Sequence, residues 1–153
     1  MQLIAYYRVS TQRQGQSGLG LEAQRTRIQE IAAARGAEVV AEFTETESGR
    51  KNDRPQLAAA MAMARETGAT VVIAKLDRLA RDAEFILRLS REAQSNGMGG
   101  FLFADMPDLD ATTSAGRMIL TVMAAAAEFE ARRISERTTD ALKAAKERGQ
   151  ALG

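Results

Sequence analysis

The run TVVIAKL, residues 70–76, decides the reading of this 153-residue chain. Its consecutive β-branched residues, with no polar residue alternating between them, suit a strand buried on both faces, the usual state of a strand inside a parallel sheet. Working outward, DAEFILRLSREAQS (82–95) has helical spacing, and GMGGFLFA (97–104) reads as the next strand. Upstream, Pro55 suits the first turn of a helix whose inner face is Leu57, Met61 and Ala64, and Gly68 stops it. AEVVAEF (37–43) is another strand, and TETESGRKND (44–53) reads as a polar loop. Leu21, Ile28, Ile31 and Ala32 mark a helix ended by Gly36, and QLIAYYRV (2–9) is the first strand. Strand and helix alternating at such short spacing predict an α/β domain with a small, mainly parallel sheet flanked by helices.

The last segment breaks that alternation. After the loop DMPDLDATT (105–113), no helix breaker occurs from Arg117 to Arg148, which predicts one long helix beginning near Ser114. At 1.5 Å per residue it is about 50 Å long, more than a small domain needs. RMILTVMAAAAEF (117–129) is apolar on more than one face and is expected to pack on the domain and on another subunit. EARRISERTTDALKAAKERG (130–149) is charged nearly all round and is expected to project into solvent or onto a partner. The division is therefore an α/β core over 1–113 and a long helix over 114–149.

Composition narrows the chemistry. With 21 Lys and Arg against 20 Asp and Glu, the net charge of +1 requires any basic surface to be local. The chain has no cysteine and no histidine, which excludes disulfides, a thiolate nucleophile, a Cys/His zinc site and an imidazole base. No window reaches the roughly 18 apolar residues of a membrane span, and the N-terminus has no basic region ahead of an apolar one, so a cytoplasmic protein is expected.

Sites in parallel α/β sheets gather at the carboxyl ends of the strands. There the first strand presents Arg8 and Ser10, the second leads toward Arg54, and KLDRLAR (75–81) supplies Lys75, Asp77, Arg78 and Arg81. Arginines and a serine converging there would hold a phosphate, because guanidinium forks match phosphate oxygens and stay charged. Taken singly, each has a plainer reading: Ser10 as a turn former or helix cap, Asp77 as a cap followed by exposed cations, Arg54 as a surface residue. Asp105, Asp108 and Asp110 read as a solvated loop, since their spacing matches no cation-binding loop.

Five motifs in order, YYRVST (6–11), GLGLEAQ (18–24), ESGRKNDRPQL (47–57), KLDRLARD (75–82) and AEFEARRISERT (127–138), resemble the catalytic domain of the resolvase/invertase family of serine site-specific recombinases. The resemblance covers essentially the whole chain. It implies that Ser10 attacks a DNA phosphodiester and becomes linked to the 5′ phosphate, releasing a 3′ hydroxyl, with religation to a new partner needing neither ATP nor a metal. It further implies that Arg8, Arg54, Arg78 and Arg81 hold the phosphate oxygens, that Asp77 positions an arginine or shuttles a proton, and that Gln24, Lys75 and Arg133 support the site. No cofactor is implied. The partners implied are double-stranded DNA and further copies of the chain, as a homodimer assembling to a tetramer. The apolar half of the long helix, with Met118, Ile119, Val122, Met123 and Ala126, would then pair subunits. Its charged half would contact DNA through Arg132, Arg137, Lys143 and Lys146.

Two departures accompany the resemblance. Ala131 stands where many members have arginine, so the contact made by that arginine is either lost or supplied by Arg132. Members of this type continue into a helix-turn-helix reader, whereas this chain stops at KERGQALG (146–153), so either an excised catalytic domain or a reader supplied elsewhere is expected. Other readings of the residues are a serine transposase or large integrase, an inactive DNA-binding and dimerising relic, and a small-molecule phosphate domain. The last would want GxxxxGK[ST], and GQSGLG (15–20) lacks the lysine. The glycine-bearing loop QGQSG (14–18) is expected to let Ser10 stand away from the arginines until DNA is in place.

Overall fold

The structure is a computed structural model and describes residues 1–10, 19–47, 54–75, 83–93 and 97–149. Its elements run β1 (Gln2–Ser10), α1 (Leu19–Arg35), β2 (Glu38–Glu47), α2 (Pro55–Thr67), β3 (Thr70–Ile73), α3 (Ala83–Ala93), β4 (Phe101–Phe103) and α4 (Ser114–Glu147). The strands form one four-stranded sheet in the order β2-β1-β3-β4, and every ladder between them is parallel. The expected fold class is the one observed.

Topology fixes which helix covers which face. The chain steps from β1 outward to β2, then back across β1 to β3 and on to β4. Right-handed crossovers therefore put α1 on one face and α2 and α3 on the other. The side chains of β1 sort accordingly. Leu3, Ala5 and Tyr7 pack with Ile28 and Ala32 of α1 and with Val72 and Leu102. Ile4 and Tyr6 pack with Leu57, Met61 and Ala64 of α2, Ile86 and Leu89 of α3, and Leu120 and Ala124 of α4. All four residues of β3 are buried, as a strand covered on both faces must be.

The boundaries differ from expectation in informative ways. β2 continues through Glu47, four residues into the segment read as a loop, because Thr44–Glu47 keep parallel register with Tyr7–Ser10. β2 lies at the edge of the sheet, and Glu45 within this polar stretch is buried with its carboxylate hydrogen-bonded to Tyr6 and the start of α2. β3 stops at Ile73 rather than residue 76, and β4 is only Phe101–Phe103. The long helix begins at Ser114 as expected, capped by Thr113, whose Oγ1 accepts from the Gly116 amide at 3.0 Å. It packs on the body through α3, with Gly116, Leu120 and Ala124 buried and the Ser90 and Thr121 hydroxyls 3.0 Å apart. Met118, Ile119, Val122 and Phe129 lie exposed on its opposite side, while Met123 is partly buried against the core. Among the described residues, no helix is long and apolar enough to cross a membrane.

Of the three loop aspartates, Asp110 is a structural latch. Its Oδ2 accepts from Arg35 at the end of α1 at 3.0 Å, and its Oδ1 accepts from the Thr112 amide and hydroxyl. Burial alone would raise its carboxyl pKa, but the Thr112 hydrogen bonds and the Arg35 charge outweigh it and hold the pKa below the ordinary 3.8. A depressed carboxylate stabilises the fold above the unfolded-state value, and that contribution is lost as pH falls through the folded one. The thermal midpoint of Asp110→Asn should therefore sit below wild type at pH 7 and converge on it below about pH 4. A gap that stays constant down to pH 3 would count against the latch.

Candidate active site

The strand order reverses at β1, so the crevice expected of such a sheet opens at the carboxyl ends of β1 and β3. The pairing of these strands ends at Tyr6 with Ile73, closed by the Ala74 amide donating to the Tyr6 carbonyl at 3.1 Å. Beyond that point the Arg8 backbone still faces the β3 side and needs a partner. Gln24 of α1 supplies it. Its Oε1 accepts from the Arg8 amide at 3.1 Å, and its Nε2 donates to the Arg8 carbonyl at 2.9 Å and to the Gly20 carbonyl at 3.2 Å. Gln24, 3% exposed, thus continues the ladder with a side chain and joins the two ends of the segment that contains Ser10.

On the other side of β1, Arg8 stands in register with Glu45 of β2, and Ser10 with Glu47. Arg54 occupies the N-cap of α2, yet its side chain makes no capping bond. Glu45 performs that role from the neighbouring strand: its Oε2 accepts from the amides of Gln56 at 3.0 Å and Leu57 at 3.1 Å. The same oxygen accepts from the Tyr6 hydroxyl at 3.2 Å. A carboxylate on first-turn amides also meets the positive end of the helix dipole. Glu45 is only 5% exposed and was assigned from the sequence to a loop, so its part in the site is a finding of the structure.

Tyr6 reports the electrostatics here. Burial and then the Glu45 charge push its phenol pKa well above the ordinary value, while Arg8 and Arg54 both pull it down. The Nε atoms of Arg8 and Arg54 are buried. Tyr6 stays a neutral donor at any working pH and is unsuited to proton abstraction. Tyr7, one residue on, faces the opposite side and donates to Glu42 at 2.8 Å beneath Arg25.

Lys75, half-buried just past β3, lines a cleft of about 290 Å³ with Gln24, Arg27, Ala74 and Asp105. The structure thus brings Arg8, Arg54, Gln24 and Lys75 to the carboxyl edge of the sheet. The side chain of Ser10, all of Asp77, Arg78 and Arg81, and the QGQSG segment lie outside the described residues. Arg132, Arg133, Arg137, Lys143 and Lys146 are exposed on α4. Arg132 pairs with Glu128 at 2.7 Å, and Arg133 lies over the Phe129 ring. Among the described residues, no group of three or more Asp or Glu is placed to hold a metal ion.

A parallel α/β domain that gathers guanidinium groups and a serine-bearing strand end at its switch point is a class suited to phosphoryl chemistry. Comparison with known proteins makes the class specific. The Resolvase, N terminal domain family matches residues 3–151. The chain is 40% identical over 111 residues to the transposon Tn917 resolvase of Enterococcus faecalis, covering 72% of this chain and 59% of that protein. It is 35% identical over 153 residues to the DNA-invertase of Escherichia phage P1, covering 99% and 74%. The N-terminal catalytic domain of TP901-1 integrase superposes with a TM-score of 0.65 at 27% identity, over 86% of this chain and 98% of that one. The chain belongs to the resolvase family of site-specific recombinases and carries its N-terminal domain.

Proposed function

We propose that this chain is the catalytic domain of a DNA strand-exchange enzyme in which Ser10 is the nucleophile. The Ser10 Oγ–phosphorus bond forms as the bond from phosphorus to the 3′ oxygen breaks; the serine proton leaves and the 3′ oxygen takes one up. The ester to the 5′ phosphate conserves the bond, and attack by a 3′ hydroxyl from another strand reverses the step. The observation that carries the reading is that Arg8, in register with Glu45, and Arg54, at the helix start whose first-turn amides donate to Glu45, come together beside the strand end at Ser10. Paired guanidinium forks stabilise the equatorial oxygens of a five-coordinate phosphorus better than those of the ground state. Arg78, Arg81 and Asp77 complete the site by family resemblance, and Gln24 supports it by holding the Arg8 backbone.

The long helix supports the rest of the reading. Its exposed apolar side, Met118, Ile119, Val122 and Phe129, suits pairing with a second copy, and pairs would join as a tetramer on DNA. Arg132, Arg137, Lys143 and Lys146 on its distal half suit the phosphate backbone of double-stranded DNA. Such a protein works in the cytoplasm, with its DNA. Inversion, resolution and integration share this chemistry, and the proposal is for the chemistry.

The test is capture of the intermediate. The intact gene product, incubated with duplexes randomised at their centre and quenched with detergent, should retain DNA through a 5′ phosphate and leave free 3′ hydroxyls. Peptide mapping should place the nucleotide on Ser10. Salt-sensitive binding with no covalent product would overturn the reading in favour of a DNA-binding module.

A further inference from the structure

We infer that the cleft between α1 and the carboxyl ends of β3 and β4 is a second phosphate seat, made by Arg27 and Lys75, and that it takes the DNA phosphate next to the one cut; the DNA part of the inference rests on the function proposed above. The cleft, of about 290 Å³, is floored by the small side chains of Ala74 and Ala104, which leave room above the strand ends. Two cations face it. Arg27 donates from Nε to the Ala104 carbonyl at 3.2 Å, which fixes one edge of its fork on the end of β4. Its Nη1 lies 4.0 Å from Glu30, a contact between exposed side chains that holds little, and its Nη2 has no partner among the described residues. Lys75 is half-buried, and among the described residues its three ammonium donors have no hydrogen bond or ion pair. Among the same residues, Asp105 shares the cleft but is within ion-pair reach of neither cation. Gln24 spends its amide on Arg8 and Gly20 and competes for neither. A guanidinium and an ammonium so placed suit the oxygens of one phosphate.

Position gives the seat its task. By strand alternation Arg8 lies on the Tyr6 side of β1, the side that α2 covers, whereas the cleft opens on the α1 side with Gln24 between it and the Arg8 backbone. A DNA strand held at one phosphate can pivot; held at two, on opposite sides of the end of β1, it has a direction. Direction decides which ester oxygen lies opposite Ser10, where the leaving group of an in-line displacement must be.

Three measurements test the seat. In binding to short DNA duplexes, the slope of log affinity against log salt should fall by about 0.9, the share of one phosphate, when Arg27→Gln and Lys75→Gln are combined. It should not change in Arg65→Gln, which removes an exposed cation paired with Glu92 in the last turn of α2. An unchanged slope in the double variant, or an equal fall in Arg65→Gln, overturns the DNA part. With duplexes selected by the wild-type protein, a neutral methylphosphonate at one of the two phosphates flanking the cut should slow adduct formation about tenfold in wild type and by less than about twofold in the double variant, since groups that touch are not additive. Slowing that is absent, or equal in both proteins, overturns it as well. In the free protein, inorganic phosphate should shift the Arg27 side-chain nitrogen signals in wild type and leave them in place in Lys75→Gln. That result with an unchanged salt slope would mean a seat for free phosphate and not for DNA; no shift in wild type, or an equal shift in Lys75→Gln, overturns the seat itself. Should wild type form no adduct at all, the proposed function fails, while the salt slope and the phosphate shifts still decide the seat.

Discussion

Ser10→Ala should form no covalent product on DNA, while Arg54→Lys and Arg8→Lys should form it about 100 to 1,000 times more slowly than wild type. The two losses differ in kind. In the proposed reaction alanine removes the atom that would become bonded to phosphorus, so no rate should remain to measure. Lysine keeps the charge but replaces a planar fork with a point charge, which cannot hold two equatorial oxygens in fixed directions. Because the chain has no histidine, no imidazole can compensate by activating the serine or protonating the leaving oxygen. In the proposed reaction the electrostatic share of catalysis would therefore fall heavily on the guanidinium groups. All three variants should bind DNA as wild type does and melt within a few degrees of it, since the Tyr6–Glu45 bond, the first-turn amides of α2 and the Gln24 clamp on the Arg8 backbone all remain. Adduct from Ser10→Ala, or an Arg54→Lys rate within threefold of wild type, would remove this pair from the chemistry.

Much of this site was legible because its residues sit at ends of elements that announce themselves. The β-branched run at 70–73 fixed β3, Pro55 and Gly68 bounded α2, and Arg8, Arg54 and Lys75 followed as strand-end or helix-start residues. Gln24 was legible as a member of a motif, but its work was not. A glutamine that substitutes for a missing strand can be seen only once β3 is known to stop pairing at Tyr6.

Glu45 escaped for a related reason. Its partners lie 39, 11 and 12 residues away, and a polar TETE segment next to glycine reads as loop. Two signals nevertheless existed. Thr44 to Glu47 alternate with period two, as an edge strand does, and the N-cap position of α2 is held by Arg54, whose side chain cannot accept from the first-turn amides. The two-sided apolar character of the long helix was legible as well, although only the packing of α3 shows that Leu120 and Ala124 face inward while Met118 and Val122 face out.

Gly116→Ala should destabilise the protein by about 3 kcal/mol or more, the upper end of what overpacking does. The sign is not obvious from the sequence. Gly116 is the third residue of α4 and has no positive φ, so helix propensity alone predicts that alanine stabilises by up to about 1 kcal/mol. Contact reverses it. A Cβ at this position would lie 1.6 Å from the Asp110 carbonyl oxygen and 2.3 Å from its carbon, and both neighbours are backbone. No rotamer change relieves such a clash, so either the helix start or the loop must move. The loop is held by the Arg35–Asp110 pair and by the Ala111 amide donating to Phe101 at 3.0 Å. The helix start is held by its Thr113 cap and by Leu120 and Ala124 against the core. Thermal denaturation should show a midpoint lowered by roughly 6–12 °C, at the 2–4 °C per kcal/mol of a domain this size. Ala125→Gly, on an exposed position of the same helix, isolates the propensity term and should lower stability by only about 1 kcal/mol. A Gly116→Ala protein as stable as wild type would mean that α4 does not enter the domain against the Asp110 carbonyl. The helix would then need another seat before its exposed face could be assigned to a second subunit.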